Sequence, residues 1–316
     1  MTKWRSKFFM TKEMPSLIGN FIEWLNPRGR HLARLTMNEY CEELGFSNEL
    51  KAILLAQWGD YGLPPEKASA VIHMLIATHY LEGGYYPQGG SEMIPKTVQK
   101  IIEENGGKVL LRTEAVGVIT ENEQVLKVKV KHQDMQYEIS GKQFFSDIGA
   151  IATYKQLLSA EISHDFIDEI NNIHPEHSVL TLFLGFKESP EKLGFKGENH
   201  WIFETLDHDK AFNEAGDIVD GKLWFSYLSF PSLKDDQHEG GHTAEVITKI
   251  PYHLFEKWKE SQWLRRDEEY KDFKQKLTDV ILDDLDKRFP GFKDSIDFCE
   301  LSTPLTYESM AFHDEG

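Results

Sequence analysis

The sequence is poor in cysteine and in positive charge. Only two cysteines, Cys41 and Cys299, occur among its 316 residues, and they are too far apart in sequence to form a metal-binding pair. This argues against a disulfide framework and favours a reducing, intracellular compartment. Acidic residues outnumber Lys and Arg by 52 to 35, giving a formal net charge of -17. Because Lys and Arg dominate phosphate binding, nucleic acid is not an expected partner.

Long apolar runs and Gly-x-Gly sequences are also missing. No run approaches the roughly 18 apolar residues that a membrane-spanning helix needs, and no Asn-x-Ser/Thr glycosylation site occurs. The usual fingerprint of a dinucleotide-binding loop, Gly-x-Gly-x-x-Gly, is absent from the sequence. We therefore expect a cytoplasmic or peripheral membrane protein with no ordinary dinucleotide loop in this sequence.

The first 36 residues depart from the acidic average. Residues 1–36 carry seven basic and only two acidic side chains. A basic amphipathic helix here would suit the surface of an anionic membrane. The same pattern also suits a helix that packs on the protein core with a solvated basic face. The apolar residues at helical spacing are Leu17, Ile18, Phe21, Ile22 and Leu25.

Residues 1–82 are predicted to be mostly helical. The last predicted helix begins at Pro64-Pro65-Glu66, which suits a first helical turn, and Gly83-Gly84 ends it. The predicted helices cover residues 15–25, 37–43, 48–57 and 65–81.

Residues 83–160 change to an α/β pattern. After a glycine-rich loop, Ser91 is expected to cap a helix that ends near Asn105, before Gly106-Gly107. Short alternating segments then predict a meander of strands and a closing helix. The predicted strands cover residues 108–112, 115–120, 125–131, 136–140 and 143–147, and the helix covers 152–158.

Residues 161–301 combine longer, aromatic-rich strands with one long amphipathic helix over residues 268–289. Widely spaced strands flanked by helices predict an α+β fold with a mixed or antiparallel sheet. The strands are predicted at residues 178–187, 200–204, 223–230, 244–250 and 295–301, and the apolar helix face at Phe273, Leu277, Val280, Ile281 and Leu285.

Two motifs look like ligand sites but lack a necessary feature. His238-Glu239-Gly240-Gly241-His242 fits H-E-x-x-H, which binds zinc only on a helix. Its two glycines disfavour a helix by about 2 kcal/mol together, so we interpret it as a surface turn without metal. Gly84-x-x-x-x-Gly89-Gly90-Ser91 resembles an ATP-binding loop, but Gly90 replaces the required lysine. It is either a simple tight turn or a place where a ligand approaches the backbone closely.

A second segment gives this glycine loop a context. Trp58-Gly59-Asp60-Tyr61-Gly62-Leu63-Pro64-Pro65 precedes a helix and then residues 83–91. This combination resembles the retinol-saturase branch of the phytoene-desaturase-like flavoproteins. The resemblance continues in the same order, over nearly all 316 residues, through residues 106–119, 240–248, 289–290 and 303–306.

The resemblance implies a partial two-domain flavoprotein of the amine-oxidase type. Residues 1–82 and 161–301 would form the substrate domain, and residues 83–160 a returning portion of the FAD-binding domain. Residues 302–316 would lead into a C-terminal FAD segment. The implied reaction is FAD-dependent saturation, desaturation or isomerisation of carbon–carbon double bonds in an apolar polyene or isoprenoid.

The resemblance also implies site residues, although it leaves the catalytic residues unassigned. FAD is expected to contact Gly89, Gly90 and Ser91, with the Val116 backbone beside the adenine. The substrate candidates are Tyr85 and Tyr86, with Glu82 beside them. Four aromatic residues on predicted strands suit either an apolar tunnel or an ordinary core: Trp201, Trp224, Phe225 and Tyr227.

Members of this family begin with a strand and a glycine-rich loop that hold the FAD pyrophosphate, and this sequence contains neither. We therefore expect a fragment, incomplete at both ends, that does not retain FAD alone. Unpaired apolar edges would favour association with a complementing chain. The alternative is a non-enzymatic isoprenoid- or lipid-binding protein that has lost the flavin site.

Overall fold

The computed structural model describes residues 26–122, 124–158, 168–170, 177–312 and 315. The predicted helix over residues 15–25, and most of the basic segment around it, lie outside the described residues. Within the described ranges, no helix is both long and apolar enough to cross a membrane.

The chain begins with a helical layer: α1 (Pro27–Leu32), α2 (Met37–Glu43), α3 (Asn48–Leu55) and α4 (Ala70–His79). The α2 prediction is confirmed, and Thr36 and Glu39 form a reciprocal capping box at its start. The prediction of a helix from Pro65 is wrong. The Ala68 carbonyl accepts from the Met37 amide, and the Ala70 amide donates to the Leu35 carbonyl. Because these backbone groups pair with residues 35–37 and not within a helix, helix α4 begins only at Ala70.

Residues 83–158, which we call the meander region, contain α5 (Met93–Glu104) and three antiparallel strands. These are β1 (Thr113–Glu121), β2 (Gln124–His132) and β3 (Met135–Ser140), in that order. The predicted helix over residues 152–158 is a wide helical turn, Ala152–Leu157.

Three details predicted for the meander region are wrong. Residues 108–112 and 143–147 are not strands, because neither segment has a strand to pair with among the described residues. Ser91 does not cap α5. Its carbonyl accepts from the Ile94 amide, so Ser91 lies in the turn before a helix that has no side-chain cap.

Residues 177–312, the sheet region, hold a five-stranded antiparallel sheet. The elements of this region are β4 (Ser178–Phe186), β5 (His200–Phe203), α6 (His208–Asn213), β6 (Phe225–Ser229), β7 (His242–Ile250), α7 (Glu268–Arg288), β8 (Ile296–Ser302) and α8 (Pro304–Ala311). The spatial order of the strands is β5-β6-β7-β4-β8, and the predicted strands and long helix are confirmed to within a few residues. The α+β class with antiparallel sheets is therefore confirmed.

The two faces of this sheet have different surroundings. Helix α7 packs Leu277, Ile281 and Leu285 onto one face, where they join strand residues such as Leu182 and Val246 in the main core. Strand alternation places a second set of side chains on the opposite face, which we call the open face. Its members include Phe183, Trp201, Phe203, Tyr227, Ser229, Glu245, Ile247, Lys249 and Phe298.

Candidate functional site

The turn at residues 58–62, here the Trp58 turn, lies directly on the open face. The fully buried Trp58 ring packs against Phe203 and Phe225, with ring centroids 6.2 and 5.3 Å apart. A Cβ atom at Gly59 would lie only 2.5 Å from Cζ3 of Trp201. Glycine at this position therefore permits the turn to approach the aromatic end of the sheet.

Polar side chains tie the Trp58 turn to helix α4 and to the residues that follow it. The Tyr80 hydroxyl donates to Oδ2 of Asp60 at 2.8 Å, and this hydrogen bond, with burial, raises the pKa of Tyr80 to about 12. Tyr61 Oη and His73 Nδ1 lie 2.7 Å apart. Burial raises the pKa of Tyr61 and lowers the pKa of His73, so both are neutral and the phenol donates to the imidazole.

Residues 83–91, here the glycine loop, are fastened to the sheet region. The Gly89 amide donates to Oδ2 of Asp235 at 2.7 Å. Gly89 and Gly90 both adopt left-handed backbone conformations, with φ of +83° and +81°, which favour glycine. A Cβ atom at Gly89 would meet Met93 Cγ at 2.9 Å, whereas one at Gly90 would meet no atom within 4 Å.

The two predicted substrate tyrosines have different surroundings. Tyr85 is 91% exposed, and its hydroxyl donates to the Glu82 carbonyl at 3.3 Å. Tyr86 is partly buried, and Nζ of Lys234 lies 5.7 Å from its ring centroid. The structure therefore associates Tyr86, rather than Tyr85, with the sheet.

Four proton-bearing or charged side chains gather where the glycine loop meets the open face: Tyr86, Tyr227, Lys234 and Glu245, here the polar cluster. Lys234 Nζ donates to Ser229 Oγ at 2.5 Å and to Asn199 Oδ1 at 2.6 Å. Burial lowers the pKa of Lys234, which the Glu245 carboxylate opposes. Burial, and then the charge of Glu245, raise the pKa values of Tyr86 and Tyr227. The cluster can therefore hold protons on two phenols beside an apolar surface.

The remaining predicted residues lie elsewhere. Val116 is the extra residue of a β-bulge in β1, between Ala115 and Gly117, and its side chain is partly exposed. The Trp224 ring packs beneath the Lys222 ammonium, 3.4 Å from its centroid, and its Nε1 donates to Asp217. The H-E-x-x-H segment is a loop that leads into β7, as predicted; His238 Nε2 bonds to the Gly241 carbonyl.

The sequence relatives of this chain include a retinol reductase and a prolycopene isomerase. The chain is 28% identical, over 94% of its length, to an all-trans-retinol 13,14-reductase from Danio rerio. It is 24% identical, over 77% of its length, to a chloroplastic prolycopene isomerase from Daucus carota. The chain is a homologue of the retinol saturases and carotenoid isomerases. The resemblance predicted from the sequence motifs is thereby confirmed, and this family is enzymatic.

The chain spans about half the length of the curated relatives it matches, 52% of the reductase and 37% of the isomerase. No family model matches the chain. An oxidoreductase from Methanosarcina mazei shares the fold of this retinol-saturase homologue, with a TM-score of 0.53 at 13% identity. That similarity covers 93% of this chain and 63% of the other.

Proposed function

We propose that this chain supplies the substrate-binding part, and a portion of the FAD-binding part, of an FAD-dependent enzyme. The reaction would be saturation, desaturation or isomerisation of carbon–carbon double bonds in an apolar polyene or isoprenoid. The observation that carries the proposal is the position of the two family motifs. The Trp58 turn lies on the open face, and the glycine loop bonds to the segment between β6 and β7, where Lys234 links Tyr86 to Ser229 of the open face. Residues 83–160 belong, in this proposal, to the FAD-binding part.

The open face suits an apolar chain. Trp201, Tyr227 and Ile247 lie beside one another across three strands, and Phe183 and Phe298 are exposed at the far end. That end opens into a mainly apolar cleft of about 320 Å³ between the ends of β4, β7 and β8. Covering these side chains with a polyene would remove apolar surface from water on both partners.

The glycine loop leaves room for a planar cofactor. Gly90 has no atom within 4 Å of the place where a Cβ would stand, so a flat ring system could lie against its backbone. The amides of Gly89 and Gly90 already donate to Asp235 and to the Pro87 carbonyl, which makes packing, rather than amide hydrogen bonding, the expected contact. Ser91 and the Val116 backbone are the further FAD contacts that we propose.

FAD, when bound, supplies two-electron redox chemistry. The residues of this chain would place the polyene on the open face, exclude water and keep protons on Tyr86 and Tyr227. Because the sequence has no Gly-x-Gly loop for the pyrophosphate, we expect the isolated chain to purify without flavin. The carrier alternative is not favoured, since the relatives described above are a reductase and an isomerase.

Expression of the chain together with its flanking reading frames tests the proposal. The expected product binds flavin, seen by absorbance, and changes the number or geometry of double bonds in a polyene, followed by chromatography. Tyr227→Phe should slow that conversion, whereas Tyr40→Phe, in helix α2, should not. A product that binds polyenes tightly but carries no flavin and converts nothing would establish the carrier instead.

A further inference from the structure

Lys249 is a cation on the open face that has no acidic partner among the described residues. It faces the same side of β7 as Glu245 and Ile247 and stands opposite Val179 of β4. The side chain is partly buried. Within the described part of the chain, its ammonium makes one hydrogen bond, a long one of 3.4 Å to the Gly62 carbonyl of the Trp58 turn.

No carboxylate of the described residues forms an ion pair with Lys249, whereas two other partly buried lysines have such a partner. Lys51 pairs with Glu42 and Lys274 with Glu300. Burial alone lowers the pKa of Lys249, with no acidic neighbour acting against it. Taking an ammonium out of water without a counter-charge is unfavourable. An anionic group of a ligand would offset that penalty.

The surroundings leave room for such a group. Gly62 adopts a φ of +88°, and a Cβ there would stand 3.6 Å from Lys249 Nζ. The missing side chain keeps the space beside the ammonium free. Glu245 lies four residues from Lys249 along β7, or roughly 13 Å. Because its negative charge repels an anion, an anionic group of a ligand on the open face would lie beside Lys249 and not beside Glu245.

We propose that Lys249 binds the terminal carboxylate of a long-chain apolar ligand, whose chain lies along the open face towards Phe183 and Phe298. The strand from Lys249 to Thr243 is about 20 Å long, which sets the scale of the chain that the face accommodates. The inference rests on the proposed function, because it takes the open face as the substrate surface. It adds that the substrate is a carboxylate-bearing chain rather than a pure hydrocarbon.

Fluorescence titration with cis-parinaric acid, a conjugated polyene carboxylate, and with its methyl ester tests this on the intact chain. The wild type should bind the acid about tenfold more tightly than the ester, as expected for a charge-assisted hydrogen bond. Lys249→Met should abolish this preference while keeping the affinity for the ester. Lys249→Arg should retain the preference, as should the control Lys192→Met at an exposed lysine paired with Glu188.

The results that would overturn the inference differ from failure of the proposed function. Equal affinity of the wild type for acid and ester, or an acid preference that survives Lys249→Met, would remove Lys249 as the anchor and leave the open face as a binding surface. Failure of both ligands to bind would reject the open face itself. If melting shows that Lys249→Met is unfolded, loss of the acid preference in a folded Lys249→Arg would also overturn the inference.

Discussion

The sheet region and the meander region have similar amphipathic sequences but very different interiors. In the sheet region, helix α7 and the strands enclose a core of fully buried side chains, among them Leu180, Val246 and Ile281. In the meander region, among residues 83–122 and 124–158, Val130 is the single buried side chain. A periodic pattern thus predicts which side of an element is apolar, but not whether anything covers that side.

The uncovered surface of the meander region is extensive. Helix α5 exposes a full apolar stripe, and apolar residues of the three-stranded sheet are exposed as well. Surfaces of this kind mark contact sites or aggregation-prone sites. Our proposal that residues 83–160 belong to an FAD-binding part accounts for it, since a complementing part would bury these side chains: Ile94, Val98, Ile101, Val116, Leu126, Tyr137 and Ile139.

The largest expected effect contrasts two isoleucines on helices of the two regions. Ile281→Ala in α7 removes a fully buried side chain and should lower the free energy of unfolding by about 2–5 kcal/mol. Ile101→Ala in α5, where the side chain is 55% exposed, should change it by less than about 0.5 kcal/mol. Urea unfolding of both variants measures the difference. Equal losses would show that α5 is covered in solution.

A smaller contrast concerns two glycines of the motifs. Gly59→Ala places a Cβ atom against Trp201 and should destabilise the protein by about 1–3 kcal/mol through overpacking. Gly84→Ala, in the glycine loop, meets no atom within 4 Å and should stay within about 0.5 kcal/mol of the wild type. Thermal melts at matched concentration compare them. An unchanged melting temperature for Gly59→Ala would show that the Trp58 turn does not pack on the open face in solution.

Gly90→Val separates a flavin contact from a simple turn. The left-handed φ of Gly90 should cost the variant about 1–2 kcal/mol of strain, although the new side chain meets no protein atom within 4 Å at its Cβ. In the flavin-loaded protein expressed with its flanking frames, flavin occupancy should fall well beyond what the melting temperature predicts. Unchanged occupancy in a normally folded variant would refute the contact.

The smallest expected effect is a pH dependence at the junction between the helical layer and the meander region. The folded pKa of Tyr80 is raised from 10.0 to about 12, so its contribution to stability is fully present below pH 10. That contribution is lost as the pH rises from about 10 through about 12. Unfolding measurements across this range should show a steeper loss for the wild type than for Tyr80→Phe. Parallel curves would rule out the Tyr80–Asp60 contribution.

Predictions from the sequence were most accurate for elements whose apolar side chains are buried in the core. Helix α7 is predicted from the apolar face that repeats along it, and strand β4 from its place among the longer, aromatic-rich segments. The prediction for residues 108–112 was wrong, because a strand requires a partner that local sequence does not reveal. The helix predicted from Pro65 started too early because that segment's backbone bonds to residues 35–37, which propensity cannot anticipate.

Within the candidate site, the motifs identified the glycines but not their contacts. The approach of Gly59 to Trp201, and of Gly89 to Asp235, joins residues distant in sequence. Lys249 was missed because a polar residue at alternate positions of a strand usually indicates a solvated face. The sequence held one weak signal of this site. The face of β7 that should be polar carries the apolar residue Ile247 between Glu245 and Lys249.

Hydrogen exchange of the chain, with and without a bound polyene such as cis-parinaric acid, tests most directly whether the sheet region is the substrate part. The account predicts slower exchange in β6 and β7 when the ligand binds, with α5 and strands β1–β3 unchanged. Slower exchange in the meander region, together with unaltered exchange in β6 and β7, would contradict it.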